Sequence, residues 1–476
     1  MRRAKIYREP QPLIALYESV ESLDRRAVET FAMSEELLME HAALAIEREI
    51  VKRFDRGAVL IVCGAGNNGA DGLALARLLG ARKNFAPKVY APLGIRSPLG
   101  KIQLRRVRAL GVKEVTAFEP SDIIVDALFG GGLNRKLDES VAEIIKAIDG
   151  ASAFKIACDI PSGVNKEGAF DVCAKMNLCV TMGAPKLALF HDKVKDYAGE
   201  IVVADLGVPR EAYAAQSDAF LLEESDLKAP FRQKQNSHKG TYGHLAVAMG
   251  DKSGAAILCA MAALRFGAGL ATIIKDERHT YLPFELMQAQ KTPATSTAIA
   301  LGMGLGETYS DEELLDMIGD LPAVIDADAL DRPFICDLLT RKRPAILTPH
   351  PKEFAALLDR CGLGVYTPAQ AQERRLPLSL EFGKAFPKAI LVLKGANTII
   401  TDGTRRFINA SGTPALAKGG SGDALAGMIG AALAQGYDPL EAAINGSLAH
   451  ALAAKRFEGA NFAMLPSDLI ASLAKL

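Results

Sequence analysis

The sequence contains no tryptophan, has few aromatic residues and has no excess of charge of either sign. Aromatic residues make up 6% of the chain, although hydrophobic residues make up 49%. Lysine and arginine together number 56, as do aspartate and glutamate, so the formal net charge is zero. A neutral chain is not expected to bind nucleic acid through a general basic surface. This composition, with 42 glycines, is typical of a globular α/β enzyme.

The sequence also lacks paired cysteines, an apolar leader and a long run of apolar residues. Its seven cysteines are scattered and never spaced as Cys-x-x-Cys, so we expect reduced thiols in a cytoplasmic protein. Residues 1–13 are basic and polar, which predicts that no signal peptide is present. The longest apolar run, Ala424–Ala434, is far shorter than a bilayer span. We therefore expect no membrane association.

Chain length and residue pattern predict an α/β protein with two domains. A chain of 476 residues is longer than one hydrophobic core usually supports. Strand-like and helix-like segments alternate in both halves, and a polar, charged segment at residues 207–242 interrupts the alternation. We place the first domain at residues 1–215 and the second at 225–476. Each is expected to hold a parallel sheet covered on both faces, the first as a Rossmann-like sandwich.

The individual elements are predicted from hydrophobic periodicity. Residues 15–54 have apolar residues at helical spacing, and the helices Ser421–Gln435 and Pro439–Phe457 are predicted to close the chain. The strands predicted in the first half are Ala58–Cys63, Lys88–Ala91, Ile123–Leu128, Phe154–Cys158, Leu178–Met182 and Ile201–Asp205. The strands predicted in the second half are His244–Met249, Leu270–Ile274, Ala298–Leu301, Ala323–Ile325, Ala345–Leu347, Ile390–Leu393 and a hairpin at Thr398–Ile408.

A glycine-rich turn, Gly419–Asp423, precedes the first of the two closing helices. Glycines leave the backbone free to direct the N–H groups of Gly420, Ser421 and Gly422 toward one point, as phosphate-binding turns do. Asp423 follows in the first helical turn, where a carboxylate can take a proton from a substrate hydroxyl. The turn therefore indicates phosphoryl transfer. The alternative is that the glycines only allow close helix packing.

A second glycine-rich turn, at residues 64–72, follows the first predicted strand and precedes a predicted helix at Leu73–Leu79. It matches Gly-x-Gly-x-x-Gly, but a dinucleotide fold also needs an acid roughly 20 residues further on. No acid occurs between Leu73 and Lys113, which disfavours an ordinary NAD dehydrogenase. The cations in this stretch are interpreted as a solvated face, with contact to ligand phosphate as the alternative. They are Arg77, Arg82, Lys83, Lys88, Arg96, Lys101, Arg105, Arg106, Arg108 and Lys113.

Polar side chains follow several predicted strands of the first half. Asn68 and Asp71 lie after the first strand, Asp126 at the end of a later one, and Asp159 and Ser162 after the next. Because the carboxyl ends of parallel strands share one edge of the sheet, these residues are expected to converge there. Such an oxygen-rich cluster suits a hard cation or a polar ligand. The alternative is that the acids cap the following turns and helices.

Three segments of the first half, Gly66–Gly72, Asp126–Gly130 and Asp159–Gly163, resemble the NAD(P)H-hydrate epimerase domain. That family interconverts the R and S forms of NADH and NADPH that carry a hydroxyl at C6 of the nicotinamide ring. The resemblance implies a K⁺ ion held by Asn68, Asp126 and Ser162, with Asp159 as acid/base. It also implies hydrate contacts from Asn67, Asn68, Gly69, Ala70, Asp71, Gly130, Gly131, Gly132, Leu133, Asn134, Arg135, Lys136 and Asp159. Ala70 stands where the family usually has glycine.

Three segments of the second half, Lys239–His244, Thr348–Phe354 and Gly419–Asp423, resemble the ADP-dependent NAD(P)H-hydrate dehydratase, which has a ribokinase-like fold. The family's Gly-Pro-Gly-Leu-Gly signature stands here as Gly302–Gly306 with Met303 in place of proline. The resemblance implies Asp423 as the catalytic base and Mg²⁺ bound with ADP. It implies hydrate contacts from Ala255, Gly304, Gly306, His350 and Asp423. It implies nucleotide contacts from Lys394, Gly395, Ala396, Asn397, Thr398, Gly420, Ser421 and Gly422.

Some roles in the second half stay open. Asp326 and Asp328 lie at the end of a predicted strand, and either substrate or Mg²⁺ is their expected ligand. His350 without its flanking motif is equally well interpreted as a loop histidine with a structural role.

Together the resemblances cover nearly the whole chain in the domain order of the bifunctional hydrate-repair enzymes. They imply that an epimerase feeds R-hydrate to an S-specific dehydratase, which consumes ADP and releases AMP and phosphate. The expected partners are NADH and NADPH hydrates and ADP, without nucleic acid or membrane, in a homo-oligomer. The rival hypothesis is a ribokinase-like small-molecule kinase with a first domain that binds a ligand without catalysis.

Overall fold

The computed structural model describes residues 13–133, 136–276, 281–340 and 344–476. The chain divides into two compact units. One consists of Ala15–Ser217, and the other of Asp218–Leu476 with the segment that ends at Ile14. Both units are built around a sheet whose strands are mostly parallel and alternate with helices, which confirms the predicted two-domain α/β class.

The first unit is built on a sheet whose neighbouring strands are all parallel. Two of its strands, Ile123–Ala127 and Leu178–Met182, are buried throughout, as expected of a parallel sheet with helices on both faces. The strand order is β4-β3-β2-β5-β6-β7-β8, so the direction of strand addition reverses between β2 and β5. Ligands bind at such a switch point in open α/β sheets. The strands are β2 (Gly57–Cys63), β3 (Phe85–Tyr90), β4 (Lys113–Val115), β5 (Ile123–Ala127), β6 (Phe154–Cys158), β7 (Leu178–Met182) and β8 (Glu200–Ala204), after a short strand β1 (Ile14–Leu16).

The helices of the first unit begin at recognisable capping residues. The Ser34 side chain accepts a hydrogen bond from Leu37 N at the start of α2, and Ser97 accepts one from Gly100 N at the start of α4. Both contacts satisfy amides that the first helical turn leaves free. The helices are α1 (Glu21–Phe31), α2 (Glu35–Arg53), α3 (Asn67–Gly80), α4 (Pro98–Ala109), α5 (Glu139–Gly150), α6 (Lys195–Ala198) and α7 (Arg210–Tyr213).

Two predictions for the first unit are wrong in detail. Residues 15–54 do not form a continuous helical region, because β1 ends at Leu16 and a left-handed Ala32 separates α1 from α2. The turn predicted at residues 64–72 ends at Gly66, and α3 already begins at Asn67. Ala70 therefore lies inside a helix and is fully buried. A helical residue needs no positive φ, so alanine costs nothing at this position.

The second unit is built on a sheet of order β9-β18-β17-β16-β15-β14-β13-β10-β11-β12. Only β17 among these strands is antiparallel to its neighbours, and it forms the predicted hairpin with β18. The carboxyl ends of the central parallel strands lie at one edge, which positions the loops that follow them. The strands are β9 (Ala219–Leu222), β10 (His244–Ala248), β11 (Leu270–Ile274), β12 (Met287–Ala289), β13 (Ala298–Leu301), β14 (Ala323–Ile325), β15 (Ala345–Leu347), β16 (Ala389–Leu393), β17 (Thr398–Thr401) and β18 (Arg406–Asn409).

The core of the second unit contains an almost wholly buried helix, α14, packed against α8 and α15. Close approach is possible because of small residues. A Cβ on Gly427 would lie 2.1 Å from the carbonyl oxygen of Cys259, and one on Gly446 would lie 2.5 Å from Ile429. Gly427 and Gly446 thus allow this packing from outside the turn at Gly419–Asp423. The helices are α8 (Ser253–Arg265), α9 (Asp311–Ile318), α10 (Phe334–Thr340), α11 (Pro351–Arg360), α12 (Pro368–Glu373), α13 (Arg375–Ala385), α14 (Ser421–Ala434), α15 (Pro439–Lys455) and α16 (Pro466–Ser472).

In the described parts of the chain, none of the helices combines the length and the apolar character needed to cross a bilayer.

Candidate active sites

A cavity of about 660 Å³ opens in the first unit at the carboxyl edge of the sheet. Its volume is in the range of small-molecule sites. Most of the residues that the epimerase resemblance implies as hydrate contacts lie together here. The predicted site residues that line the cavity are Asn67, Asn68, Asp71, Gly130, Gly132, Leu133 and Asp159.

Asp159 is held in the wall of this cavity by four donors. It follows β6 with a φ of 78°, a left-handed conformation that few residues with a side chain adopt. One carboxylate oxygen accepts from Gly131 N at 3.0 Å. The other accepts from Met182 N at 3.2 Å and from Thr181 Oγ1 at 3.3 Å, and it lies 2.5 Å from Lys186 Nζ. Burial alone would raise the pKa of Asp159, but the Lys186 ammonium and these donors outweigh burial and lower it.

Lys186 is one of the residues of this site that sequence reasoning missed. The residue is 1% exposed, and its Nζ also donates to Met182 O at 2.7 Å. Two further acids lie within its influence. Burial raises the pKa of Asp24, which accepts from the Tyr213 hydroxyl at 2.6 Å. Burial and the neighbouring Asp159 hold the pKa of Asp71 well above its ordinary value. The cavity therefore pairs an ionised carboxylate with acids that hold their protons more tightly.

A second cluster, formed by Asp126 and Ser162, adjoins the cavity through Phe129. The fully buried Asp126 accepts from Ser162 Oγ at 2.6 Å and from Ser162 N at 2.9 Å. Ser162 Oγ in turn accepts from Phe129 N at 3.0 Å. Burial raises the pKa of Asp126. No ammonium or guanidinium group of the described residues pairs with this carboxylate, so a bound cation would compensate its charge.

The donors of this cluster fit K⁺. Across residues 13–133, 136–276, 281–340 and 344–476, no group of three or more His, Cys, Asp or Glu side chains is arranged to hold a metal. A cation here would meet one carboxylate and neutral oxygens, which suits a large, weakly charged ion better than a divalent one. The Asn68 amide nitrogen is buried without a partner in this part of the structure. Turning that amide over would present its oxygen instead, because the oxygen and nitrogen of a carboxamide can exchange places without a change of shape.

The other described residues that the epimerase resemblance implies do not line the cavity. Gly69 and Ala70 are buried inside α3, where a Cβ on Gly69 would lie 1.9 Å from Gly64 O. Gly131 contributes its amide to Asp159, and Lys136 is exposed. Asn134 and Arg135 lie outside the described residues.

In the second unit, the turn before α14 has the form that an anion site needs. Gly420 is its N-cap residue with a φ of 90°, and a Cβ there would lie 2.7 Å from Pro466, so only glycine fits. Asp423 stands in the first helical turn. Burial, with the charges of Asp326 and Asp328, raises the pKa of Asp423 to about 6 against the opposing effect of Lys394. A carboxylate with such a pKa suits a general base near neutral pH.

Lys394 is the first residue of the segment 394–398, which is predicted to contact the nucleotide, and its side chain lies close to this turn. Its Nζ donates to Asp326 Oδ1 at 2.7 Å and lies 3.9 Å from Glu353 Oε2. A Cβ on Gly422 would lie 3.5 Å from the same Nζ. The Lys394 amide donates to Pro349 O at 2.9 Å, which ties the end of β16 to the loop after β15. The first residue of the segment 394–398 is thus at the turn, while its last residue, Thr398, already begins β17.

The predicted hydrate contacts of the second unit surround the same strand edge. Gly304 and Gly306 have φ values of 62° and 59°, and a Cβ on Gly304 would lie 3.2 Å from that of Ala255. The amide of Gly306 donates to Asp328 Oδ2 at 3.0 Å. Asp328 therefore holds this loop by a hydrogen bond, and its charge also raises the pKa of Asp423.

His350 has a structural contact as well as a position at this edge. Its Nδ1 accepts from the amides of Lys352 and Glu353, both at 3.2 Å, and thereby caps α11. Its Nε2 lies 3.2 Å from Glu353 Oε1, and 47% of the side chain is exposed. The imidazole therefore has an exposed face available to a ligand while it holds the start of the helix.

His450 is a second residue that sequence reasoning missed. It lies on α15, and its Nε2 is 2.9 Å from Ser421 Oγ and 3.0 Å from Ser421 O. Burial lowers its pKa to about 4, so the imidazole is neutral at neutral pH. The neutral imidazole of His450 therefore contacts Ser421 of the glycine-rich turn without adding a charge to it.

Asp326 and Asp328 are the acids at this strand edge that could contact Mg²⁺. Asp326 is engaged by Lys394 and Asp328 by the Gly306 amide. Because Mg²⁺ is usually bound by few carboxylates together with substrate phosphates, these two acids fit an ion that arrives with a nucleotide. When bound, Mg²⁺ would neutralise charge on the transferred phosphoryl group.

The fold and the two sites define an α/β enzyme with two separate candidate active sites, one of them suited to phosphoryl transfer. The family model for NAD(P)H-hydrate dehydratase matches residues 245–475, and the model described as YjeF-related protein N-terminus matches residues 35–188. The chain belongs to the family of bifunctional NAD(P)H-hydrate repair enzymes, which confirms the predicted family and its pair of isomerase and lyase activities.

Two curated relatives match this chain over nearly its full length, and a solved structure resembles its second half. The bifunctional NAD(P)H-hydrate repair enzyme Nnr of Helicobacter pylori is 40% identical over 478 residues, covering 98% of this chain and 100% of its own. The enzyme of the same name from Coxiella burnetii is 32% identical over 497 residues, covering 98% and 99%. A crystal structure of ADP/ATP-dependent NAD(P)H-hydrate dehydratase from Bacillus subtilis, co-crystallised with ATP and Mg²⁺, is 30% identical, covers 51% of this chain and 92% of its own, and has a TM-score of 0.45.

Proposed function

We propose that the first unit epimerises hydrated NADH and NADPH in the cavity that contains Asp159. Inverting the carbinolamine carbon C6 requires that its bond to oxygen or to nitrogen breaks and re-forms on the opposite face. Either route moves a proton at the C6 hydroxyl. Asp159 would accept and return that proton, and Lys186 would keep the carboxylate ionised between turnovers. The observation that carries this proposal is the Asp159–Lys186 contact in the wall of the cavity.

We propose that the second unit dehydrates the S-hydrate at the turn before α14. Asp423 would remove the proton from the C6 hydroxyl, and the resulting oxygen would attack the terminal phosphorus of ADP while AMP leaves. The amides of Gly420, Ser421 and Gly422 would stabilise the charge on the transferred group. Breaking the C6–O bond and losing a proton from C5 would then release phosphate and restore NADH or NADPH. The proximity of Lys394 to Gly422 and the raised pKa of Asp423 support this assignment.

The remaining parts of the proposal concern setting and boundaries. We assign the epimerase to residues 1–215 and the dehydratase to residues 225–476, with ADP as donor and a homo-oligomeric state. All seven cysteines are free thiols, which supports a reducing compartment such as the cytoplasm.

The test is recovery of reduced nicotinamide absorbance from mixed R- and S-hydrates. Full recovery with ADP and Mg²⁺, with one AMP and one phosphate released per NADH formed, is expected of the full chain. A stable phosphorylated product without recovered absorbance would instead support the small-molecule kinase. Recovery that stops after the S fraction would mean that the first unit does not epimerise. ATP in place of ADP, at equal concentration, tests the choice of donor.

K⁺ is expected to stimulate epimerisation through the Asp126 carboxylate. Replacing Asp126 with asparagine keeps the shape of the side chain but removes the charge, so the K⁺ concentration for half-maximal rate is expected to rise roughly tenfold or more. The measurement is the R-to-S rate in K⁺, Na⁺ and tetramethylammonium at constant ionic strength. Dehydration of pure S-hydrate in the same samples is the control. Equal wild-type rates in all three cations would contradict the assignment.

The dehydratase rate is expected to fall on acidification through about pH 6, the pKa to which burial raises Asp423. The base must be ionised to act, so the rate is lost as pH falls, by about tenfold per pH unit below the pKa. Epimerisation should persist to lower pH because the Lys186 ammonium lowers the pKa of Asp159. Separate pH profiles of kcat/KM for R-to-S conversion and for S-hydrate dehydration measure this difference. Coincident acidic limbs would argue against Asp423 as the base.

A further inference from the structure

The basic run between Leu73 and Lys113 is largely accounted for by ion pairs. Six of its ten cations contact glutamates of α2 or of the segment around β4. These contacts explain why a run without acids is stable, since the balancing charges come from elsewhere in the unit. The pairs are Arg77–Glu40, Arg82–Glu47, Lys88–Glu119, Arg106–Glu36, Arg108–Glu114 and Lys113–Glu119.

Arg96 differs from the rest of the run because it lines the cavity that contains Asp159. It lies in the loop between β3 and α4, and its side chain forms no ion pair with any described residue. Its backbone is nevertheless fixed. The amides of Arg96 and Ser97 both donate to Ala65 O, at 2.9 and 3.1 Å, and Ser97 caps α4. The guanidinium thus extends from an anchored loop beside the start of α3.

Few of the charged side chains that line this cavity could bind an anion. Four of the lining side chains are acids: Asp24, Asp71, Asp138 and Asp159. The other lining cation, Lys186, is buried and bound to Asp159 and to Met182 O, so its charge is already compensated. Within the described lining, Arg96 is the cation whose charge is available. A dinucleotide brings two phosphates into a site that would otherwise repel them.

We propose that Arg96 binds the pyrophosphate of the hydrated dinucleotide during epimerisation. The proposal rests on the epimerase function proposed above and adds the residue that recognises the substrate outside its reacting ring. A guanidinium suits this role because its planar donors form paired hydrogen bonds with phosphate oxygens. The position next to the α3 N-terminus places those donors where helix amides also favour an anion. The acids of the cavity are then free to contact the nicotinamide end of the dinucleotide.

The test is the steady-state epimerisation kinetics of Arg96→Gln in the full chain. The KM for NADH hydrate is expected to rise about tenfold or more, with kcat nearly unchanged, because the lost contact is equally strong in ground and transition states. Arg96→Lys should restore part of the affinity. Lys101→Gln, which removes another unpaired and exposed cation of the run that does not line the cavity, is the matched control and should keep the wild-type KM. Dehydration of pure S-hydrate by each variant verifies the fold of the second unit, and a thermal midpoint close to wild type verifies that of the first.

Three substrates identify the group that Arg96 contacts. NADH hydrate and NADPH hydrate should lose equal affinity in Arg96→Gln, whereas hydrated reduced nicotinamide riboside, which has no phosphate, should be unaffected. A KM effect confined to NADPH hydrate would overturn the pyrophosphate assignment, as would an equal effect on the riboside or no effect on the dinucleotides. A wild type that does not epimerise would overturn the proposed function itself and this inference with it. The wild-type control therefore distinguishes the two failures.

Discussion

Replacing Asp423 with asparagine is expected to reduce NADH formation from S-hydrate by roughly 10³-fold, the middle of the range that a general base contributes. Asparagine retains the size of the side chain and a carbonyl oxygen, but it cannot accept the hydroxyl proton. The turn itself should persist, because it depends on Gly420 and on the Ser421–His450 contacts. The loss should therefore fall on kcat, with the KM for ADP and the thermal midpoint close to wild type. Single-turnover rates with pure S-hydrate and excess ADP measure it.

The matched control for this variant is Asp320→Asn, which changes an exposed acid of the same unit after α9. It should behave as wild type in rate and in melting temperature. Epimerisation of R-hydrate by Asp423→Asn, followed separately, should also be unchanged because that chemistry uses the other unit. A variant that keeps more than about a tenth of the wild-type rate would show that another group removes the proton, since a lost base costs at least about 10²-fold.

The elements that could be predicted from the sequence are those with strong periodicity and clear ends. Buried parallel strands such as β10 and β13 are continuous apolar runs, and the prediction places them almost to the residue. The strands that were missed are short. β4 has a charged three-residue sequence, and β9 lies inside the polar segment at residues 207–242. Such strands exist because a neighbouring strand offers hydrogen bonds, a tertiary effect that local pattern does not contain.

The residues of the candidate sites also fall into those that could be predicted from the sequence and those that could not. Residues within a motif, such as Asp423 beside Gly420, could be proposed because the motif and its chemistry are local. Lys186 and His450 could not, because each reaches its partner across the fold, 27 residues from Asp159 and 29 residues from Ser421. A signal was nevertheless present for Lys186. It follows a predicted strand whose carboxyl end belongs to the same sheet edge as Asp159, where a lysine can pair with an acid.

Replacing Asp159 with asparagine is expected to reduce the R-to-S rate by roughly 10³-fold, again through loss of a proton-transfer group. Asparagine is the informative substitution because Asp159 has a φ of 78°, a conformation that asparagine adopts more readily than alanine. In the mixed-hydrate assay, recovery should then stop after the S fraction, apart from slow uncatalysed epimerisation. A buffer blank of the same hydrate preparation measures that background.

The stability of this variant separates the catalytic role of Asp159 from its structural role. Removing the carboxylate leaves the buried Lys186 ammonium without its counter-ion, which is expected to cost about 3 kcal/mol in the free energy of unfolding. Adding Lys186→Met removes the unpaired charge and should restore most of that free energy. If activity returns with stability, Asp159 serves only to hold Lys186. If the double variant is stable and still inactive while Lys186→Met alone retains activity, the carboxylate itself performs the proton transfer.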